Sequence, residues 1–260
     1  MSSCQLCGEE SKLIKAHIIP EAFFRVLRIE EDTLTLITST PGVRPKRAPI
    51  GVYDTKILCG PCERKFDHLD DYGINVLLVQ FHAWFKTIEQ NGQVVAYRAE
   101  QVDQEKLLRF LVAVLWRASV SKQSFYGRVH LGPYESLARQ TILRPEAELP
   151  PVFSALLSRW TYSEENKSVA QSLMCPFRER WQGVNAYRMY LGEVVAYVKV
   201  DNRSFHLPLR NCALREQPGL NLVARSLEKS KDLKSMVHTV TRSDRNIELL
   251  KLARRNANAP

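Results

Sequence analysis

The spacing of apolar residues changes character along the chain. Over residues 1–75 the apolar runs are short and broken. Residues 13–18 read as a short strand. Pro20 suits the first position of a helix over 21–29, which spaces Phe24, Leu27 and Arg28 helically. Residues 33–38, Thr-Leu-Thr-Leu-Ile-Thr, alternate as a strand does. Residues 41–49 form a basic loop, 52–58 a second strand, and a helix starts near Glu63. Gly73 is expected to break that helix. Residues 74–88 then place Leu77, Leu78, Phe81, Trp84, Phe85 and Ile88 on one helical face. Asn91-Gly92 is a hairpin turn. Residues 104–119 are amphipathic, with Leu107, Leu108, Leu111, Leu115 and Trp116 in one stripe, and 134–143 make a second such helix.

Leu149-Pro150-Pro151 punctuates the chain. After it, β-branched and aromatic residues dominate 152–162 and 186–200, with Gly192-Glu193 turning a hairpin. Residues 220–236 and 244–255 return to helical spacing, and Arg254 and Arg255 suit the C-terminal dipole of the last helix. The pattern predicts an α+β protein in three stretches: an N-terminal module over 1–75, a helical region over 76–148, and a mixed α/β region over 149–260.

Composition adds limits. The chain has 260 residues, enough for one large domain or two small ones, with 45% hydrophobic and 25% charged residues. No apolar run is long enough to span a membrane. Met1-Ser2-Ser3-Cys4 lacks the basic region and apolar core of a secretory signal, so a reducing, cytoplasmic setting is expected. The net charge is +9, and its distribution is uneven. Residues 1–103 carry 12 Lys and Arg against 14 Asp and Glu, so all of the positive excess lies beyond them. Such an excess favours a polyanion such as nucleic acid; solvation of helix faces is the plainer alternative.

The cysteines are more specific. Cys4-Gln5-Leu6-Cys7 and Cys59-Gly60-Pro61-Cys62 are two Cys-x-x-Cys knuckles. A two-residue gap lets both thiolates of a knuckle reach one ion, and two knuckles close a tetrahedral, structural Zn²⁺ site. Cys175 and Cys212 have no such spacing and read as small apolar residues. Between the knuckles lies Ala16-His17-Ile18-Ile19-Pro20, and Asp54-Thr55-Lys56-Ile57-Leu58 leads into Cys59, with Glu63 directly after Cys62.

Together these motifs resemble the zinc-bearing HNH endonucleases of ββα-metal, treble-cleft type, over residues 4–70. The resemblance implies a general base at His17, its third motif position at Asp54, and a catalytic metal ligand at Glu63. It implies metal-dependent hydrolysis of phosphodiester bonds in DNA or RNA, with His17 activating water and Mg²⁺ or Mn²⁺ stabilising the leaving oxygen. The chain departs from the family pattern at three positions. Ala16 stands where a metal ligand is usual, Asp54 where Asn is usual, and Glu63 where His or Asn is usual. A further ligand would then come from Asp67 or His68. Glu63 and Asp67, four residues apart, would share one helical face; an acidic helix start gives the same pattern. Asp54 would orient the imidazole. His17 also has a plain reading as a packed or zinc-binding histidine. Arg44, Lys46 and Arg47 are candidate phosphate contacts, or a solvated loop. The alternative to an enzyme is a decayed HNH-like zinc protein that binds nucleic acid, a protein partner or a second copy without cleaving.

Overall fold

The computed structural model describes residues 2–27, 35–36 and 46–241. It is α+β. Strands β1 (Ser2–Ser3) and β2 (Glu10–Ser11) pair around the first knuckle, and β3 (Leu13–His17) follows. Helix α1 (Glu21–Arg25) starts after Pro20 and buries Phe23 and Phe24. β4 (Thr35–Leu36) pairs with β5 (Lys46–Arg47). β6 (Tyr53–Cys59) returns antiparallel to β3 and runs into α2 (Gly60–Glu63), then α3 (Asp67–Ile74). A π-helical turn, Asn75–Val79, joins α3 to α4 (Phe81–Trp84).

The expected break at Gly73 does not occur. Gly73 lies inside α3, and a Cβ there would sit 2.5 Å from the Phe110 ring. The residue is glycine because two helices approach closely there. The helix expected over 74–88 also ends early. Residues from Lys86 belong to β7 (Lys86–Gln90), which pairs with β8 (Gln93–Ala99) through Asn91 and Gly92 at φ 52° and 71°. Both turn residues take the positive φ that a two-residue hairpin requires, and the hairpin draws the preceding residues into strand.

Helix α5 (Gln104–Val120) is the central element. The Asp103 side chain caps it by accepting from the Lys106 N–H. It is buried almost all round, so the observed environment is wider than the single stripe of its sequence. Phe110 stacks on Phe23 and Trp116 on Phe66, joining α5 to the N-terminal module. Helix α6 (Glu135–Leu143) packs on α5 from another side.

Next come β9 (Phe153–Thr161), α7 (Lys167–Ala170), β10 (Leu173–Trp181), β11 (Val184–Leu191), β12 (Val194–Val200), α8 (Leu207–Arg210), β13 (Leu220–Ser226) and α9 (Lys231–Thr241). One seven-stranded sheet has the order β10-β11-β12-β9-β13-β8-β7. Its pairings are antiparallel except β13 with β9. The expected helix over 220–236 is therefore a strand followed by a helix. Leu220-Asn221-Leu222 alternates inward and outward, and β8 and β9 both pair with it. Pro150 and Pro151 separate α6 from β9, yet the sheet includes strands from both sides of them. The expected helix over 244–255, with Arg254 and Arg255, lies outside the described residues. Among the described residues no helix is long and apolar enough to cross a membrane.

Candidate functional site

The four knuckle cysteines converge. Gly8, at φ 85°, turns the chain after Cys7 and donates its N–H to the Cys4 carbonyl at 2.8 Å. The Gln5 N–H donates to the Ile57 carbonyl at 2.8 Å, which ties the first knuckle to β6. The Cys59 N–H donates to Cys4 Sγ at 3.4 Å. Pro61 sits in the first turn of α2 and brings Cys62 back beside Cys59. The four Sγ atoms lie within 4.8 Å of one another. A tetrahedral ion about 2.3 Å from each thiolate needs sulfurs only a little closer than that. The quartet could thus hold a metal ion, and four thiolates, which leave no open position for water, are the donor set of structural zinc.

Thiol acidity within the quartet is uneven. Burial pushes Cys4 up, but N–H groups of Cys7, Cys59 and Leu6 outweigh it and bring the thiol down to about 7. Burial and the neighbouring thiols push Cys62 well above the usual range. A metal binding here must displace protons.

His17 ends β3, opposite Tyr53 of β6, and sets its ring edge-on to the Tyr53 ring with centroids 5.8 Å apart. Its Nε2 lies 2.9 Å from the Ile50 carbonyl oxygen. That oxygen can only accept, so Nε2 carries the proton and Nδ1 keeps its lone pair in the neutral ring. Burial lowers the imidazole pKa, partly opposed by the Ile50 carbonyl. Gly51, at φ 82° and close under the Phe24 ring, shapes the turn that presents Ile50. A side chain there would be strained by the dihedral and blocked by the ring.

Asp54 does not orient His17. It is fully buried on the opposite side of β6, at the register position of Ala16. Its Oδ1 accepts from the Lys56 N–H at 2.8 Å, and its Oδ2 from Ser121 Oγ at 2.9 Å and the Lys122 N–H at 2.7 Å. Adjacent strand residues face opposite ways, so Asp54 anchors the chain after α5 instead.

The expected carboxylate pair also separates. Glu63 ends α2 and Asp67 starts α3, with a turn between, so the two do not share one continuous helix face. Asp67 and His68 are exposed. Among the described residues, no group of three or more His, Cys, Asp or Glu side chains besides the cysteine quartet gathers closely enough to hold an ion. Glu63 is half-buried. Its Oε2 is enclosed without a hydrogen-bond partner, and burial pushes its carboxyl up to about 7 against the pull of Arg117. Lys46 and Arg47 are exposed on β5; Arg44 lies outside the described residues.

Sequence reasoning missed Arg117 and Asp70. Arg117 of α5 is fully buried, donates to the His17 carbonyl at 3.0 Å, and holds Asp70 of α3 at 2.6 and 2.7 Å. A signal was present for the first: an arginine between Trp116 and Ala118 interrupts the apolar sequence of a helix. Strand aromatics that could stack a base are closed off. Tyr187 and Tyr197 are buried, and the Tyr187 hydroxyl donates to the His130 carbonyl.

Comparison with models of known families, with curated proteins and with solved structures gives no match.

Proposed function

We propose that this protein is a metal-dependent HNH-type endonuclease that hydrolyses phosphodiester bonds in DNA or RNA. Cys4, Cys7, Cys59 and Cys62 hold a structural Zn²⁺, and His17 is the general base. The observation that carries the reading is the bond between His17 Nε2 and the Ile50 carbonyl. It fixes the tautomer and leaves Nδ1 as the proton acceptor, which a base activating water needs. The lowered imidazole pKa keeps that acceptor neutral at physiological pH. Glu63, whose Oε2 has no hydrogen-bond partner, is the carboxylate for a Mg²⁺ or Mn²⁺ ion that would polarise the phosphodiester. Lys46 and Arg47 supply phosphate contacts from exposed positions.

Two observations favour a second reading, a zinc-scaffold protein that binds nucleic acid or a protein partner without cleaving. Asp54 is engaged away from His17, and no second metal-ligating group is assembled among the described residues. One experiment separates the readings. Zinc-loaded wild type and His17→Ala are incubated with plasmid DNA and with RNA across a divalent-metal series. Cleavage by the wild type that His17→Ala loses supports the enzyme. Binding without cleavage under every metal supports the scaffold.

A further inference from the structure

A cleft of about 470 Å³ opens beside the end of β12, lined by Phe153, Ser154, Lys199, Phe205, Leu214 and Arg215 among others. That volume falls within the range of small-molecule sites. Ser154 on β9 and Lys199 on β12 are register partners, so their side chains are cross-strand neighbours on one face of the sheet. The strand that carries Lys199 is apolar, whereas the cleft itself is lined by charged as well as apolar side chains. β12 reads Val-Val-Ala-Tyr-Val-Lys-Val, every residue is buried, and Lys199 is its one charge.

Lys199 is 3% exposed. Its Nζ donates to the carbonyl oxygens of Pro151 at 2.8 Å and Asp201 at 2.6 Å, which uses two of its three protons. No carboxylate of the described residues forms an ion pair with it. The Asp201 carboxylate is held by Arg203 and by the Asn185 N–H. Ser154 Oγ is buried and lacks a hydrogen-bond partner, and the same is true of Arg215 Nε. Arg215 also sits at φ 72°, a left-handed conformation that a long side chain rarely adopts. Its other nitrogens hold Glu105 and the carbonyls of Leu149 and Phe153.

An ammonium without a direct ion pair, a hydroxyl without a partner, a guanidinium nitrogen without a partner and a left-handed backbone thus occur in one cleft. Each is unfavourable to folding, and such features gather where a ligand supplies the missing partner. Asp201 and Glu216 act on Lys199 through space, but no carboxylate of the described residues pairs with it directly. Glu105 is engaged by Arg109 and Arg215, Glu216 by Arg210, and Glu148 is exposed.

We propose that this cleft binds a small molecule through an anionic oxygen group, a carboxylate or a phosphate, seated on Lys199 and Ser154 beside Arg215. The carbon skeleton of the ligand lies against Phe153, Phe205 and Leu214. The site is independent of the nuclease reading.

The test uses the full zinc-loaded chain with phenyl phosphate and benzoate, which share a ring and differ in the anion. Calorimetry and thermal melting are run at ionic strength matched with sodium chloride. At least one probe should bind saturably and raise the melting temperature, and which one does so identifies the anion. Ser154→Ala and Lys199→Met should each weaken binding by about tenfold or more, the scale of losing a charge-assisted hydrogen bond. Ser154→Ala should leave the unliganded melting temperature unchanged or raised, because it removes a buried hydroxyl without a partner. Lys199→Met also takes the donor from the Pro151 and Asp201 carbonyls, so its binding is measured below its own melting transition. The proposal is overturned if neither probe binds beyond the chloride control, or if both variants bind as wild type does.

Discussion

Arg117, buried in the middle of the fold, donates from Nη1 to the backbone carbonyl of His17 at 3.0 Å. The same guanidinium grips both oxygens of Asp70 and lies 4.7 Å over the Phe66 ring. One side chain of α5 thereby fixes β3, α3 and the strand end that presents the proposed base. The charge balance is tight. Burial pushes the Asp70 carboxyl up, and Arg117 opposes the shift.

Asp70→Asn should therefore leave Arg117 buried without its hydrogen-bonded counter-charge, with only the more distant Glu63 acting on it. The expected loss is about 3–5 kcal/mol, the range for breaking a buried pair from one side. Urea unfolding measures it. A double variant, Arg117→Met with Asp70→Leu, should lose less than the sum of the two single changes. A loss for Asp70→Asn below about 1 kcal/mol would place the pair with exposed salt bridges and refute its role.

Gly73→Ala should destabilise by about 1–3 kcal/mol, as overpacking does. The added methyl meets the Phe110 ring at 2.5 Å, where α3 packs against α5. Thermal unfolding decides this. An unchanged midpoint would show that α3 and α5 separate more easily than their packing implies.

Purified protein should contain one zinc per chain. Chelation or Cys59→Ser should lower the melting temperature, because binding energy and folding energy are shared in such a site. Apparent affinity, measured by competition with a chromogenic chelator, should rise with pH. The sign follows from the thiols: Cys4 deprotonates at about 7, whereas Cys62 holds its proton above that and must release it to the metal. Affinity that ignores pH would exclude the full four-thiolate set.

If the protein cleaves nucleic acid, His17→Ala should slow cleavage by about 10²–10⁴-fold, with zinc content unchanged. The acid limb of the rate profile should lie below the ordinary imidazole value of about 6.5, since burial lowers the pKa of His17. The neutral ring is the active form, so the rate falls as pH falls through the folded-state pKa. Stability follows the same direction. The unfolded chain takes up the proton first, so the contribution of His17 is present above the unfolded value and is lost as pH falls toward the folded one. An acid limb above the ordinary value would assign the base to another group.

Nucleic-acid affinity should fall steeply with salt, as counterion release requires for a chain of net charge +9. Replacing Lys46 and Arg47 by Ala should weaken binding for all sequences alike. It should also reduce the salt slope by about one for each phosphate that these side chains neutralise. A fragment ending at residue 103 is a poor test, because β8 pairs with β13 and its removal exposes a sheet edge. Filter binding of the full chain across a salt series gives the answer. An unchanged slope in the double variant would mean that β5 does not touch phosphate.

Local patterns were legible wherever the physics is local. The two-residue gap of each knuckle identified Cys4, Cys7, Cys59 and Cys62 as one donor set, and the tertiary structure brings the two knuckles together. Asn91-Gly92 and Gly192-Glu193 marked hairpins because only a few residues accept the turn conformation. The helices α5 and α6 were legible from their apolar spacing to within a residue at each end.

Other features depend on partners distant in sequence. Gly73 looks like a breaker until Phe110 is seen above it. Residues 220–226 have a spacing that a helix could use, and only the open edges of β8 and β9 make them a strand. Asp54 has the right sequence position to orient His17, but strand alternation sends its side chain to Ser121 and Lys122. Lys199 and Ser154, far apart along the chain, become neighbours only through the register of β9 and β12. Sequence alone determined what the backbone does within a few residues. The meeting of charges, the burial that shifts their acidity, and the clefts between elements were decided by packing, because those energies depend on neighbours that spacing along the chain does not record.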